Sequence, residues 1–309
     1  MEMVFLGTGS AWCIPEHTCD CAICRSMTQA GEERTRTSIL FRGSESILVD
    51  CGPDIRAQMV RNHVTRPDVI LITHEHADHS SGLDDLLAFR RSVPREVWQP
   101  IPVYATDAAW TSIENRFGYL VGSLIEKRLA VPGKGIQLST CRVTPFKTFH
   151  GPSAPGSVGY VLEFQHRGDI FKVSYTSDFV SLIDEPPCVM KPDVLIIQAH
   201  WFNEPLENRP FHMSFQNAVH YIRQWRPKNA AYLVHISDGD HVPGDPANSY
   251  LKKLAPKDPL AHPIGTPYPV PCCRDQWQAV VDKVCGDHEI PGRVFVPWDN
   301  MLVPLFTDA

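Results

Sequence analysis

Between Thr73 and His79 the chain reads Thr-His-Glu-His-Ala-Asp-His, which sets His74, His76, Asp78 and His79 within six residues. Imidazole nitrogens and carboxylate oxygens are ligands that zinc, manganese and iron accept. Four such groups so close together cannot all serve as core packing, because buried polar groups need partners. The motif directly follows the apolar run Asp68–Thr73. At a strand's end, residues from both faces can turn toward one point. Other candidates stand in similar places: His150, Asp178, His200 and His235 each follow a β-rich run, and His212 precedes a helix start. Cys19, Cys21 and Cys24 form a C-x-C-x2-C cluster in what reads as a loop. Thiolates at that spacing read as zinc ligands. No fourth ligand is adjacent, although Cys13 and His17 are near.

These residues need elements to hold them. Val4–Leu6 reads as a strand running into the turn Gly7-Thr8-Gly9-Ser10. Residues 37–42 and 46–50 read as a hairpin, and Asp68–Thr73 as a strand buried on both faces. A helix is expected from Ser81, with Leu83, Leu86, Leu87 and Arg90 at helical spacing. Strands are expected near Ile101–Ala105, Cys141–Thr148, Val158–Gln165, Ile170–Thr176, Asp193–Gln198, Ala230–Val234 and within Arg293–Leu305. Ser214 reads as the N-cap of a helix reaching Trp225, with Phe215, Val219 and Ile222 on one face. His220 falls inside that helix and is not expected in a site. Gly7, Gly9 and Gly52 read as tight turns. The mixture implies an α/β fold with two layers of sheet and two of helix, an αββα sandwich. From Val242 to Pro291 dense proline resists regular structure, apart from a helix-like run near Arg274–Cys285. That stretch reads as an insertion within a single domain spanning 1–309.

The bulk numbers exclude several classes. At 309 residues, 43% hydrophobic and 21% charged, the chain has ordinary globular composition. Its net charge of −6 argues against a generic nucleic-acid partner. The arginines at 34, 36, 90, 91 and 95 read as solvated faces. No apolar run is long enough for a membrane helix, and the first residues lack the features of a secretory signal. The expectation is a soluble cytoplasmic protein with reduced thiols.

With these residues in view, the chain resembles the metallo-β-lactamase superfamily. That resemblance implies His74, His76 and His150 on one divalent metal and Asp78, His79 and His235 on a second, with Asp178 between them. The catalytic ions would be zinc or manganese. Two dications less Asp78, Asp178 and a bridging hydroxide leave about one positive charge, which favours an anionic substrate. The lactamases proper commonly place Cys where this chain has Asp178, which points toward ester or phosphodiester hydrolysis. Within the superfamily the arrangement looks like the cyclic phosphodiesterase branch, from Val4 to about Asp240 and again from Val294 to Leu305. It implies a small phosphate ester as substrate, His212 protonating the leaving alkoxide, with His200 a further catalytic candidate, and a structural zinc on Cys19, Cys21 and Cys24. That branch has its fourth zinc ligand three residues after the last catalytic His. Here that position is Asp238, so His241, three further on, is the preferred fourth ligand and Asp238 the alternative. Rival readings are a thioesterase of the same fold, the tRNA-processing nuclease, and a non-hydrolytic metal-binding protein such as pyrroloquinoline-quinone biosynthesis protein B. The proline-rich insertion is expected to cover the active-site mouth or to form a homodimer contact.

Overall fold

Strands as apolar as Ile-Leu-Val or Val-Leu-Ile-Ile must be covered on both faces. In the computed structural model, which describes residues 1–306, sheet covers one face of each sheet and helix the other. Strands β1 (Glu2–Gly7), β2 (Ser38–Arg42), β3 (Ser46–Val49), β4 (Val69–Leu71), β5 (Ile101–Ala105) and β6 (Ile125–Leu129) form one sheet in that order. The second holds β7 (Ile136–Gln137), β8 (Cys141–Phe149), β9 (Val158–His166), β10 (Asp169–Tyr175), β11 (Ser181–Leu182), β12 (Val194–Gln198), β13 (Ala230–Val234) and β14 (Val294–Phe295). Finally β15 (Met301–Pro304) returns to pair antiparallel with β1. Between the sheets lie Phe5, Phe41, Tyr160, Phe164, Tyr175 and Tyr232, with Phe5 and Tyr232 rings 5.2 Å apart.

The helices are α1 (Ala22–Ala30), α2 (Ile55–Arg61), α3 (Ala77–Ser80), α4 (Leu87–Arg91), α5 (Asp107–Phe117), α6 (Phe215–Trp225) and α7 (Arg274–Asp287). Ile55 and Met59 of α2 and Trp110 and Ile113 of α5 pack on the first sheet. Helices α1, α6 and α7 cover the second, and α6 contributes Phe215, Ile222 and the fully buried Trp225. Each such side chain stabilises the fold by about 1.5–3 kcal/mol relative to exposure. Ser214 caps α6, its hydroxyl accepting from Asn217 N–H. This is the four-layer αββα architecture. Among the described residues, no helix is long and apolar enough to cross a membrane.

Three local expectations change. The helix expected from Ser81 begins earlier, as α3, and tightens into a 3-10 turn over Ser81–Leu86 before α4. Helices α1, α2 and α5 carry short or broken apolar stripes that periodicity passed over. The helical part of the proline-rich stretch is not laid on the surface, because α7 buries Trp277, Val280, Val281 and Val284 in the outer layer.

Parallel pairing runs through β3–β4–β5–β6 and again through β10–β12–β13–β14. Their exit loops start on strained backbone: Asp50 after β3, Ser177 after β10 and His235 after β13 all have φ near 60° (62°, 58° and 60°). Gly52 is packed equally tightly, since a Cβ there would lie 2.1 Å from the carbonyl oxygen of Asp78. Gly52→Ala should therefore push the His-rich loop off its seat and destabilise the protein by about 1–3 kcal/mol, as overpacking does. Denaturant unfolding checks this, and an unchanged midpoint would mean that the loop gives way freely.

Candidate active site

The loops leaving β3, β4, β8, β10, β12 and β13 bring the sequence candidates together. Ligand atoms of His74, His76 and His150 lie within 4.8 Å of one another, as do those of Asp78, His79, Asp178 and His235. Asp178 Oδ2 is 3.1 Å from His235 Nε2, 3.5 Å from His79 Nε2 and 3.8 Å from His150 Nε2, so it touches both groups. Asp78 Oδ2 lies 3.1 Å from His79 Nε2 and 3.4 Å from His235 Nε2.

Which ring nitrogen of each His faces the centre follows from its outer neighbour. Asp50 is fully buried; it accepts from Thr73 N–H (2.9 Å) and from the Thr73 hydroxyl (2.9 Å), and meets His79 Nδ1 at 2.7 Å. The Thr73 hydroxyl hydrogen is thus engaged as donor to Asp50, so its oxygen accepts from His74 Nδ1–H at 3.0 Å. The Phe211 carbonyl, which can only accept, takes Nδ1–H of His150 at 2.9 Å. In neutral His74 and His150 this leaves Nε2 unprotonated and pointed inward, and Asp50 turns Nε2 of His79 the same way. His74 Nε2, His79 Nε2 and Asp178 Oδ1 are buried without a hydrogen-bond partner. Buried lone pairs left orphaned are costly unless a cation takes them, so this donor set fits divalent metal.

Electrostatics agree with that fit. Burial, reinforced by neighbouring imidazoles, holds His74 well below the ordinary histidine range, and burial lowers His76 and His150 too. Neutral imidazole is the form that ligates. Burial would raise the carboxyls of Asp78 and Asp178, but adjacent His79 and His235 outweigh it and hold both well below the carboxylate range. Burial opposes charge on His79 as well, yet Asp78, Asp50 and Asp178 lift it well above its usual value. Without metal, that proton is the cation the carboxylates find.

His200 and His212 lie alongside. Their rings stack 4.0 Å apart at 3°, and His212 Nδ1 is 3.5 Å from Asp178 Oδ2. Burial pushes His200 down to about 3 and holds His212 well below the ordinary range. Gln198 accepts from Phe179 N–H (3.1 Å) and Met213 N–H (3.0 Å), which fixes its amide so that Nε2 donates to His212 Nδ1 at 2.8 Å. The proton of neutral His212 is then on Nε2.

Comparison with known proteins now supplies the family. Residues 45–236 match the beta-lactamase superfamily domain. The chain belongs to that superfamily. It is 30% identical over 254 residues, 79% of its length, to an octanoyltransferase of Porphyromonas gingivalis, of which the match spans 47%. To the mitochondrial ribonuclease Z of Drosophila melanogaster it is 27% identical over 261 residues, 76% of this chain and 31% of that one. The chain thus spans less than half the length of these curated relatives. A diphosphatase of the PhnP family has a similar solved structure, with TM-score 0.68 and 22% identity over 98% of this chain and 97% of that one. The structure has the metallo-β-lactamase fold.

A second cluster lies a few residues past His235. Cys19, Cys21 and Cys24 converge on one carboxylate oxygen, Asp238 Oδ2, at 3.7, 3.5 and 3.0 Å. The expectation of His241 as fourth member is corrected, for His241 is not in this group. By residue 240 the chain is committed elsewhere: Asp240 accepts from the amides of Phe202 and Asn203 at 2.9 and 3.2 Å. Nor is the cluster a loop, since Cys21 caps α1 and Cys24 lies inside it. Backbone amides of Glu16, Cys21 and Cys24 donate to the sulfurs of Cys24, Cys19 and Cys21. The hydrogen bond between the Cys21 and Cys24 thiols brings Cys21 down to about 6 and, with burial, pushes Cys24 up. Lys252 pairs with Asp238 and Glu16, and buried Lys253 donates to the Asp238 carbonyl. Three thiolates and a carboxylate around one dication carry net negative charge, which these lysines offset. The donor set fits a structural zinc.

Asp50 and Gln198 were missed by sequence reasoning. Gln198, a polar end to an apolar strand, was the visible signal; Asp50 had none beyond its place before Gly52. Asp50→Asn should weaken metal binding by about 10- to 100-fold, as loss of an outer-shell carboxylate does, read as metal retained on dialysis of folded protein. Retention at the parent level would remove Asp50 from the centre. For the second cluster, Asp238→Ala should lose zinc and melt several degrees lower, whereas His241→Ala should keep both. Elemental analysis and thermal melts decide, and the reverse pattern would restore His241.

Proposed function

We propose that this protein is a phosphodiesterase acting on small phosphate esters, cyclic ones included. His74, His76 and His150 would hold one zinc or manganese ion and Asp78, His79 and His235 another, with Asp178 reaching both. Metal bound there supplies a Lewis acid for the non-bridging phosphoryl oxygens and a water acidic enough to attack phosphorus at neutral pH. The chain's own residues do the rest. Asp50 holds His79 and, through Thr73, His74 in the ligating tautomer. The Phe211 carbonyl does the same for His150.

The observation that carries the reading is His212. Gln198 sets its proton on Nε2, Asp178 stands at its Nδ1 side, and burial keeps it neutral below the pH at which an exposed histidine would charge. A fixed neutral imidazole can offer that proton to a leaving alkoxide. Cleavage of an alkyl phosphoester needs such a donor. His200, partly buried and stacked on His212, orients it and excludes water from its face. The similarity to ribonuclease Z and to a PhnP-family diphosphatase supports phosphoester chemistry.

His212→Ala should cut turnover of an alkyl phosphodiester by about 10²- to 10⁴-fold but that of bis(p-nitrophenyl) phosphate far less, because nitrophenolate departs without a proton. Steady-state rates of the metal-loaded enzyme on both substrates test this. Equal losses would reduce His212 to a structural role, and turnover of thioesters in place of phosphodiesters would overturn the assignment.

A further inference from the structure

A cavity of about 400 Å³ opens beside His200 and His212. Its lining mixes charged side chains, Glu207, Arg209, Asp238 and Lys252, with aromatic and apolar ones. The His200–His212 stack continues edge-on into Trp201, whose ring centroid is 4.5 Å from that of His200 at 77°. Trp201 is buried at 2% exposure, and it can lie there because residue 239 is glycine: a Cβ on Gly239 would come within 2.6 Å of the indole Nε1. Trp201 thus backs the His200–His212 stack from the interior.

The rim carries two large apolar side chains that the fold leaves uncovered. Trp12, from the loop after β1, is 71% exposed, and Leu251, from the proline-rich stretch, is fully exposed. Both line the same cavity, as does Leu254. Single exposed apolar residues mean little, but two gathered from distant segments around one cavity mark a ligand surface. The pocket's position selects which part of a ligand enters. His212 offers its proton to the leaving oxygen, so the group beyond His212 is the one attached to that oxygen.

We propose that this cavity is the leaving-group subsite and that it takes a planar aromatic ring, held between the His200–His212 pair and the Trp12–Leu251 rim. The inference rests on the phosphodiesterase reading and adds the substrate class: an ester whose departing alcohol carries an aromatic ring. Trp12 and Leu251 act by binding; neither touches the reacting atoms.

Two phosphate monoesters of equal charge, phenyl phosphate and methyl phosphate, isolate the ring. Calorimetric binding to the metal-loaded protein should favour phenyl phosphate by about tenfold or more, in the range that stacking on aromatic side chains contributes. Trp12→Ala and Leu251→Ala should each cut the ratio several-fold, and Trp12→Phe should restore most of it. Equal binding of the two esters, or a preference that survives both alanine variants, overturns the subsite. Turnover of bis(p-nitrophenyl) phosphate is measured separately on the parent protein. No turnover with a Trp12-dependent ring preference sinks the phosphodiesterase reading and leaves the aromatic pocket, whereas turnover without the preference does the opposite.

Discussion

Everything at the centre of this molecule hangs on one buried carboxylate. Asp50 sits with no exposure between Thr73 and His79 and has no cation beside it other than what those partners bring. Burial raises its pKa, and it tolerates that burial because His79 and Thr73 satisfy its oxygens. The same bonds send the Nε2 lone pair of His79 into one ligand group and that of His74 into the other. One acid residue, on left-handed backbone at a strand end, therefore orients a ring in each of the two histidine-bearing groups. The close seating of Gly52 against Asp78 follows from this, because the β3 exit and the His-rich loop must share a space too small for a side chain.

Charge governs the second cluster in the same way. A carboxylate in place of an imidazole adds a negative charge beside three thiols. Lys252 at the Asp238 carboxylate and Lys253 at its carbonyl answer that excess. The cluster ties α1 to the segment following His235, and Ile236 bridges back to Gly9. The N-terminal loop and the last ligand of the catalytic group are thus held by one staple. Lys252 belongs to the proline-rich stretch, which also supplies Leu251 and Leu254 to the cavity beside His212. Staple, stretch and cavity form a connected region on one side of the metals.

The division of labour within the site is between groups that bind charge and groups that hold a proton. Burial lowers His74 and His150, whose Nδ1 atoms are tied to outward acceptors. Burial lowers His212 too, but Gln198 donates to its Nδ1 and leaves the proton on Nε2. The same amide nitrogen, fixed by two backbone N–H groups, lies 3.1 Å from His235 Nδ1, so one side chain positions both rings. Fold alone does not make that distinction, since superfamily members share the sandwich and differ in what lines the cavity beyond the metals.

Local information in the sequence determined the His-rich motif, the thiol cluster, the alternation of strands that makes an αββα sandwich, and the capped helix Ser214–Trp225. Each depends on neighbours within one turn or one strand, where spacing and residue type suffice. What tertiary structure decided is of another range. Asp50 meets His79 from 29 positions away, and Cys24 meets Asp238 from 214. Choosing Asp238 over His241 required knowing how the chain turns after β13, where Asp240 is drawn to the Phe202 and Asn203 amides. A three-residue offset in a loop moves a side chain by several ångströms, and no periodic pattern constrains it. Nothing local in the sequence marks Trp12 and Leu251, and it is the fold that brings their loops to one cavity. Chemistry carried by adjacent residues is written in the chain, whereas chemistry carried by tautomers, charge balance and cavity walls exists only once distant segments have packed.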